Sequence, residues 1–146
     1  MHSVVLDHAA DFDGWRTAAR RLAAVGVVPA AVNWSVGVPD LLAAATAAPP
    51  AEAPMFAVPR RFIELAQAAI CHSDPERFAL LYTALTRLRV EPRLLDDAAD
   101  PLVHRLGELE KSVGRDIHKM RAFVRFREVT DDEGERFVAW FEPEHH

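Results

Sequence analysis

Two alternating runs near the carboxyl end constrain the fold of this chain more than any other feature. In Phe123–Val129 and again in Arg136–Glu142, apolar and polar side chains alternate, and Asp131-Asp132-Glu133-Gly134 separates the two runs. Alternation with a period of two is typical of β-strands. A short acidic break that contains glycine predicts an antiparallel hairpin with a four-residue loop.

The alternation also predicts the register of this hairpin. If Thr130 pairs with Glu135, Arg125 lies opposite Trp140, and a slip of one residue would invert the two faces. One face is then mostly apolar and belongs to the core. The other face carries Arg125, Arg127, Arg136 and Trp140.

The first 36 residues predict a strand–helix–strand unit. A short run rich in β-branched residues, Ser3–Leu6, precedes Asp11 and Asp13, which suit a turn and a helix N-cap. The helix should end at Gly26, and Val32–Val36 reads as a second strand. This order favours a parallel pair of strands with a right-handed crossover.

Three amphipathic helices are predicted between this unit and the hairpin. Pro59 can begin the first, Ser73-Asp74-Pro75-Glu76 matches a capping box for the second, and Asp100-Pro101 begins the third. Apolar residues recur at steps of three or four along each helix. The expected buried positions are Phe62, Leu65, Ala66, Ala69 and Ile70, then Phe78, Leu81, Tyr82, Leu85 and Leu88, then Leu102, Leu106, Leu109, Val113, Ile117 and Met120.

These elements predict an α+β fold. We expect one small mixed sheet, containing the N-terminal βαβ pair and the C-terminal antiparallel hairpin, packed by three or four helices. A length of 146 residues predicts a single domain, residues 1–146. Residues of about 43–58 are rich in Ala and Pro, and Pro50 and Pro54 lack the backbone donors that a helix needs, so this stretch predicts a loop.

Bulk properties narrow the cellular context. The single cysteine, Cys71, excludes an internal disulfide and a cysteine-rich metal site. No signal peptide and no apolar run of about 18 residues is present, so we expect a cytoplasmic protein with no membrane association.

A basic block lies within this acidic chain. Residues 111–127 hold six Lys/Arg and one acid, a net charge of +5 in a chain of net charge −5. Such a block is the expected footprint of an anionic partner, most plausibly nucleic acid. Lys111, Arg115 and Lys119 follow one another at i, i+4 and form a basic stripe beside the apolar stripe of the last helix. The predicted nucleic-acid-binding residues are Lys111, Arg115, His118, Lys119, Arg121, Arg125, Arg127, Arg136 and Trp140.

Trp140 with its facing arginine and His118 also have simpler interpretations. Arg opposite Trp is a common cross-strand pair, and a histidine near a helix end is favoured by the helix dipole. On the functional interpretation, Trp140 stacks an unpaired base while arginines hold phosphates.

Catalytic and metal-binding signals are sparse. The chain has no nucleotide-binding glycine motif, no metalloprotease motif and no hydrolase elbow. The candidate catalytic residues are His118, Glu142 and His145, with His146 adjacent. Asp96, Asp97 and Asp100 are better explained as helix caps than as Mg²⁺ ligands, so no metal and no cofactor is predicted.

The carboxyl-terminal residues also carry a family resemblance. The stretches DIHKMRAFVRFREV and ERFVAWFEPEHH, with DFDGWRTAARRL and DPERFALLYTALTRL, resemble a bacterial family of unknown function described as probable DNA metabolism or DNA repair proteins. Members of that family are often fused ahead of a UdgX-type uracil-DNA glycosylase or lie beside a radical-SAM partner. Family members typically continue past the EPEHH segment, so we expect a fragment or a stand-alone short form, without the motifs of the glycosylase itself.

The resemblance implies a role but no reaction. We therefore expect an accessory DNA-binding domain that acts on single-stranded or uracil-containing DNA with a glycosylase or radical-SAM partner. A base-repair enzyme that uses a His/Glu cluster is one alternative. A protein-interaction module that docks its basic face on an acidic partner is the other.

Overall fold

A computed structural model describes residues 1–37, 56–123, 125–131, 134–140 and 144–146, and for residue 123 and the two strands that follow it describes the backbone. The elements are β1 (His2–Leu6), α1 (Phe12–Ala24), β2 (Val32–Val36), α2 (Arg60–Ala69), α3 (Arg77–Leu88), α4 (Pro101–Phe123), β3 (Arg125–Asp131) and β4 (Gly134–Trp140). Short 3₁₀ turns span Pro29–Ala31 and Leu94–Asp96. None of the helices in these ranges is long and apolar enough to cross a membrane.

The N-terminal unit confirms the predicted strand–helix–strand order. β1 pairs in parallel with β2, from His2 opposite Val32 to Leu6 opposite Val36. The Asp11 carboxylate caps α1 by accepting the N–H of Gly14 at 2.9 Å. A Cβ at Gly14 would overlap that carboxylate, so a larger residue there would displace the cap. Gly26, with φ of 76°, ends the helix as predicted.

The core lies among the four helices and the inner face of β1 and β2. Trp15, Phe62, Tyr82 and Leu106 are buried at its centre, and α4 packs against α2 and α3. Every apolar position predicted for α2 and α3 is buried, because each stripe faces another helix. The result is the predicted α+β fold.

The apolar stripe of α4 is buried over part of its length. Leu106, Leu109 and Val113 are buried as predicted, but Ile117 and Met120 are 43% and 40% exposed. The prediction that these two residues belong to the core is therefore wrong. Asp116, on the same side of the helix, is instead 8% exposed.

The predicted start of α4 is confirmed, and the predicted capping box of α3 is not. The Asp100 carboxylate accepts the N–H groups of Leu102 and Val103 and so caps α4 as predicted. The capping box predicted at Ser73 is wrong. α3 begins at Arg77, and the Ser73 hydroxyl bonds to His145 rather than to the helix.

The hairpin has the predicted antiparallel register. Arg125 pairs with Trp140 and Thr130 with Glu135. The ladder continues to Asp131 opposite Gly134, so the predicted four-residue loop is two residues too long. The predicted start of the first strand at Phe123 is also wrong, because α4 continues to Phe123. Short connections suit the twist of paired strands, which explains the extra pair.

The expected single mixed sheet is wrong. In the described part of the chain, β1–β2 and β3–β4 form two separate two-stranded sheets. Side-chain alternation predicts that strands close in sequence, such as β3 and β4, pair with each other. Whether β3 or β4 also pairs with β1 or β2 depends on hydrogen bonds between backbone edges, and alternation does not specify these. Most of the predicted Ala/Pro loop lies outside the described residues, while Phe56 and Val58 at its end pack against the core.

Candidate nucleic-acid interface

The predicted basic stripe forms one continuous surface on α4. Lys111, Arg115, His118 and Lys119 line an open groove of about 520 Å³, with Gly114 at its floor. The helix brings them together because residues three and four apart share a face. Gly114 has no side chain, so the groove stays open between the cations. We call these five residues the basic groove.

The cations of the basic groove are available to a ligand. Lys111 Nζ lies 3.5 Å from Glu108, and Lys119 Nζ lies 3.6 Å from Glu144, at exposed positions where such pairs contribute little. Within the described residues, Arg115 and His118 form no ion pair, and neither does the exposed Arg121. Ion pairs with the described residues therefore leave Arg115, His118 and Arg121 without a partner acid and bind Lys111 and Lys119 only weakly.

The remaining predicted contacts lie on the hairpin. The backbone register places Arg125 opposite Trp140, Arg127 opposite Val138 and Arg136 opposite Val129. Their side chains lie outside what the structure describes. The merging of this strand face with the basic groove stays a prediction.

A second polar cluster lies where residues 144–146 contact the turn between α2 and α3. The imidazoles of His72 and His145 stack with ring centroids 4.0 Å apart. His145 Nδ1 accepts the backbone N–H of Ser73 at 3.2 Å, and His145 Nε2 lies 2.8 Å from the Ser112 hydroxyl on α4. We call residues 144–146 the clasp, because they join α4 to this turn.

Hydrogen bonds from the backbone determine the form of both imidazoles. His72 Nδ1 accepts the N–H of Asp74 at 2.9 Å, and His145 Nδ1 accepts that of Ser73. A nitrogen that accepts a hydrogen bond carries no proton, so this geometry favours the tautomer of each ring with its proton on Nε2. Burial and the neighbouring His145 lower the pKa of His72, and Asp74 opposes this in part.

Asp116 fixes the backbone of the clasp to α4. Its buried carboxylate accepts the N–H of Glu144 at 3.3 Å and that of His145 at 3.2 Å. The N–H of His146 donates to the carbonyl of Cys71 at 2.7 Å. Buried carboxylates normally have such donors, so the single acid of the basic block has a structural role.

Buried Arg77 holds the α2–α3 turn on the other side. Its guanidinium donates to the carbonyl oxygens of Ile70, Asp74 and Ala9 at 2.9, 2.8 and 2.6 Å. These bonds connect the end of α2 with the loop after β1, which positions His72 and Ser73 for the clasp.

Residues 75–146 match the family model of a domain of unknown function, DUF4130. No curated protein and no solved structure matches the chain. The DUF4130 segment contains α3, α4, the hairpin and the clasp, and with them the whole basic groove.

The two candidate catalytic residues that the structure describes, His118 and His145, belong to different surfaces. His118 lines the exposed basic groove, His145 belongs to the clasp, and Glu142 lies outside the described residues. Because the Nε2–H of His145 points to the Ser112 hydroxyl, His145 cannot accept the proton of Ser112 in this form. Burial raises the pKa of the Cys71 thiol, which weakens it as a nucleophile. Among the described residues no group of three His, Cys, Asp or Glu side chains could hold a metal ion.

Sequence reasoning missed the clasp, although one signal pointed to it. Asp116 follows Leu109 and Val113 at helical spacing and therefore falls on the buried side of α4. A carboxylate at a buried position indicates partners elsewhere in the chain. No spacing rule could have named Glu144 and His145 as those partners, because they lie almost thirty residues away.

Proposed function

We propose that this chain is an accessory DNA-binding domain of DNA repair or DNA metabolism, and that the basic groove of α4 holds DNA phosphates. The observation that carries the proposal is the alignment of Lys111, Arg115, His118 and Lys119 along one groove in a chain of net charge −5. Phosphate contacts from Lys and Arg supply most of the sequence-independent affinity for DNA.

The local electrostatics support an anionic ligand. Lys111 and Arg115, and then Arg115 and Lys119, are like charges at i, i+4, an arrangement that destabilises a helix by a few tenths of a kcal/mol per pair. A bound row of phosphates would turn this repulsion into attraction.

The partner proposal comes from the family resemblance. A chain whose described residues hold a binding surface and no recognisable catalytic group is suited to act beside an enzyme. We propose a uracil-DNA glycosylase of the UdgX type, or a radical-SAM protein, as that enzyme, with single-stranded or uracil-containing DNA as the shared ligand.

Fluorescence anisotropy with labelled single-stranded, duplex and uracil-containing oligonucleotides at two salt concentrations tests DNA binding. We expect affinity to fall steeply with salt, and Arg115→Ala to reduce the slope of log K against log salt by about one. Arg115→Glu should weaken binding further. Arg60→Glu is the control, because Arg60 is also an exposed arginine and lies on α2 outside the groove, paired with Glu64.

Three results would contradict the proposal: no measurable affinity, an affinity that does not change with salt, or equal losses for Arg115→Glu and Arg60→Glu. Co-purification with an acidic protein in the absence of DNA affinity would instead favour a protein-interaction module.

A further inference from the structure

A groove of about 610 Å³ follows the outer edge of β1, on the side away from β2. Every residue from His2 to Asp7 lines one wall. The opposite wall is the face of α1 formed by Asp13, Gly14, Thr17, Ala18, Arg21 and Leu22. The groove is therefore bounded by a strand on one side and a helix on the other.

Along this groove, the backbone of β1 has no partner strand among the described residues. The carbonyl of Leu6 accepts the N–H of Gly37, so Leu6 faces β2, and so does Val4 two residues earlier. Backbone groups of successive residues point to opposite sides of a strand, so the N–H and C=O groups of Ser3 and Val5 face the groove. No strand in the described part of the chain pairs with them. Two donors and two acceptors are thus presented in one row.

The helical wall leaves room for an added strand. Ala18 is a small residue on this wall, whereas the space beside Gly14 is filled by the Asp11 carboxylate, which also lines the groove. An added strand would pair at about 4.8 Å from β1 and would turn every second side chain towards this helical wall.

Charge distinguishes the two ends of the groove. Asp7 and Asp13 are exposed at the carboxyl end of β1 and form no ion pair with described residues. The nearby Asp11 carboxylate is already occupied by the N–H groups of Gly14 and Asp7. Arg21 lies in the last turn of α1, away from this acidic end of the groove. The acidic end favours a cationic side chain and repels a nucleic acid.

We propose that this groove binds an extended peptide segment of a partner protein, which adds to β1 as a further strand and places a Lys or Arg beside Asp7 and Asp13. Strand addition supplies affinity through main-chain hydrogen bonds, which are what the edge at Ser3 and Val5 offers. The acidic end then selects the residue type at one end of the peptide. This surface is separate from the basic groove, so DNA and a peptide could bind together.

The test uses a fluorescein-labelled peptide that begins Lys-Arg and continues with alternating Val and Thr, about seven residues in all, to span the length of β1. Anisotropy measures affinity, and amide hydrogen exchange followed by NMR locates the contact. We expect slower exchange at Ser3 and Val5 on binding, with no change at Val4 and Leu6, whose amides already face β2.

Two variants and one modified peptide test the mechanism. Val5→Pro removes a donor that faces the groove and leaves the ladder to β2 intact, so the fold should persist while affinity falls about tenfold or more. Asp7→Asn with Asp13→Asn should weaken binding of the Lys-Arg peptide and leave a peptide without basic residues unaffected. A peptide N-methylated at alternate amides should bind the native chain about tenfold more weakly or worse.

If Val5→Pro does not fold, the N-methylated peptide still tests strand addition, because methylation removes main-chain hydrogen bonds to β1 from the side of the peptide. Equal binding of the methylated and unmethylated peptides would overturn the proposal, as would unchanged exchange at Ser3 and Val5. Absence of binding at about 1 mM peptide would also overturn it. So would sedimentation showing that a second copy of the chain occupies the edge of β1.

Discussion

The two halves of α4 share one apolar periodicity, but one half packs against other helices and the other half is largely exposed. In residues 101–113, Leu106 and Leu109 are completely buried against α2 and α3. In residues 114–123, Ile117 and Met120 stay exposed, and the buried position at Asp116 carries a carboxylate that holds the clasp. One half of the helix belongs to the core, and the other half presents a surface.

This difference shows what periodicity in a sequence reports. Apolar residues at steps of three and four identify a helix face, but burial also requires an element that covers the face. The first half of α4 has such elements. The second half carries Arg115, His118 and Lys119 of the basic groove, and Lys111 lies just before it. Most of the surface proposed to bind DNA is therefore in the part of the helix that leaves the core.

The largest effect that separates the two halves should come from large-to-small substitutions. Leu106→Ala removes fully buried methyl groups and leaves a cavity, so it should lower the free energy of unfolding by about 2–5 kcal/mol. Met120→Ala, at a position that is 40% exposed, should change it by about 0.5 kcal/mol or less. Urea denaturation followed by circular dichroism measures both. Equal losses would mean that the second half of α4 is buried after all.

A smaller effect is expected at the residue that connects the second half to the rest of the chain. Asp116→Ala leaves the N–H groups of Glu144 and His145 without their acceptor and should cost about 1–3 kcal/mol. Asp116→Asn retains one acceptor oxygen and should cost less. Amide exchange at Glu144 and His145 should accelerate in Asp116→Ala while exchange in the core at Leu81 and Tyr82 stays slow. Unchanged exchange in the clasp would show that Asp116 does not hold it.

The sequence could predict those parts of the fold that depend on local patterns. The N-cap at Asp11, the glycine stop at Gly26 and the register of Arg125 opposite Trp140 all follow from neighbours in the chain or from strict alternation. The basic groove was predictable for the same reason, because an i, i+4 series of cations shares a face once the helix exists.

The missed features depend on contacts between distant segments. The clasp joins Ser73 to His145 and Asp116 to Glu144, and the exposed edge of β1 reflects the absence of a neighbouring strand in the described part of the chain. No periodicity encodes either feature. The Ser73 motif illustrates the ambiguity, since a hydroxyl that could cap a helix bonds to a more distant imidazole instead.

The smallest expected effect is a change in how stability depends on pH. Burial, with His145 as neighbour, lowers the pKa of His72 in the folded chain, so below about pH 6.5 the unfolded chain binds a proton that the folded chain resists. The stability that His72 contributes is therefore present above that pH and is lost as the pH falls towards the lower pKa that His72 has in the folded chain. The groups that face His72 are His145 in the clasp, Asp74 in the turn, Arg77 on α3 and Arg105 on α4.

His72→Asn isolates this contribution. The side-chain oxygen of Asn can accept the same N–H of Asp74 but does not titrate near neutral pH, so the hydrogen bond survives and the proton linkage is removed. Between about pH 7.5 and pH 5.5, the urea midpoint of the native chain should fall more than that of His72→Asn. If the urea midpoints of the two proteins change in parallel with pH, His72 titrates alike in the folded and unfolded chains. The stack of His72 on His145 would then not depend on protonation. A steeper loss for the native chain, together with lower protection factors at Glu144 and His145 in acid, would place the proton-sensitive contact at the clasp rather than in the helices of the core.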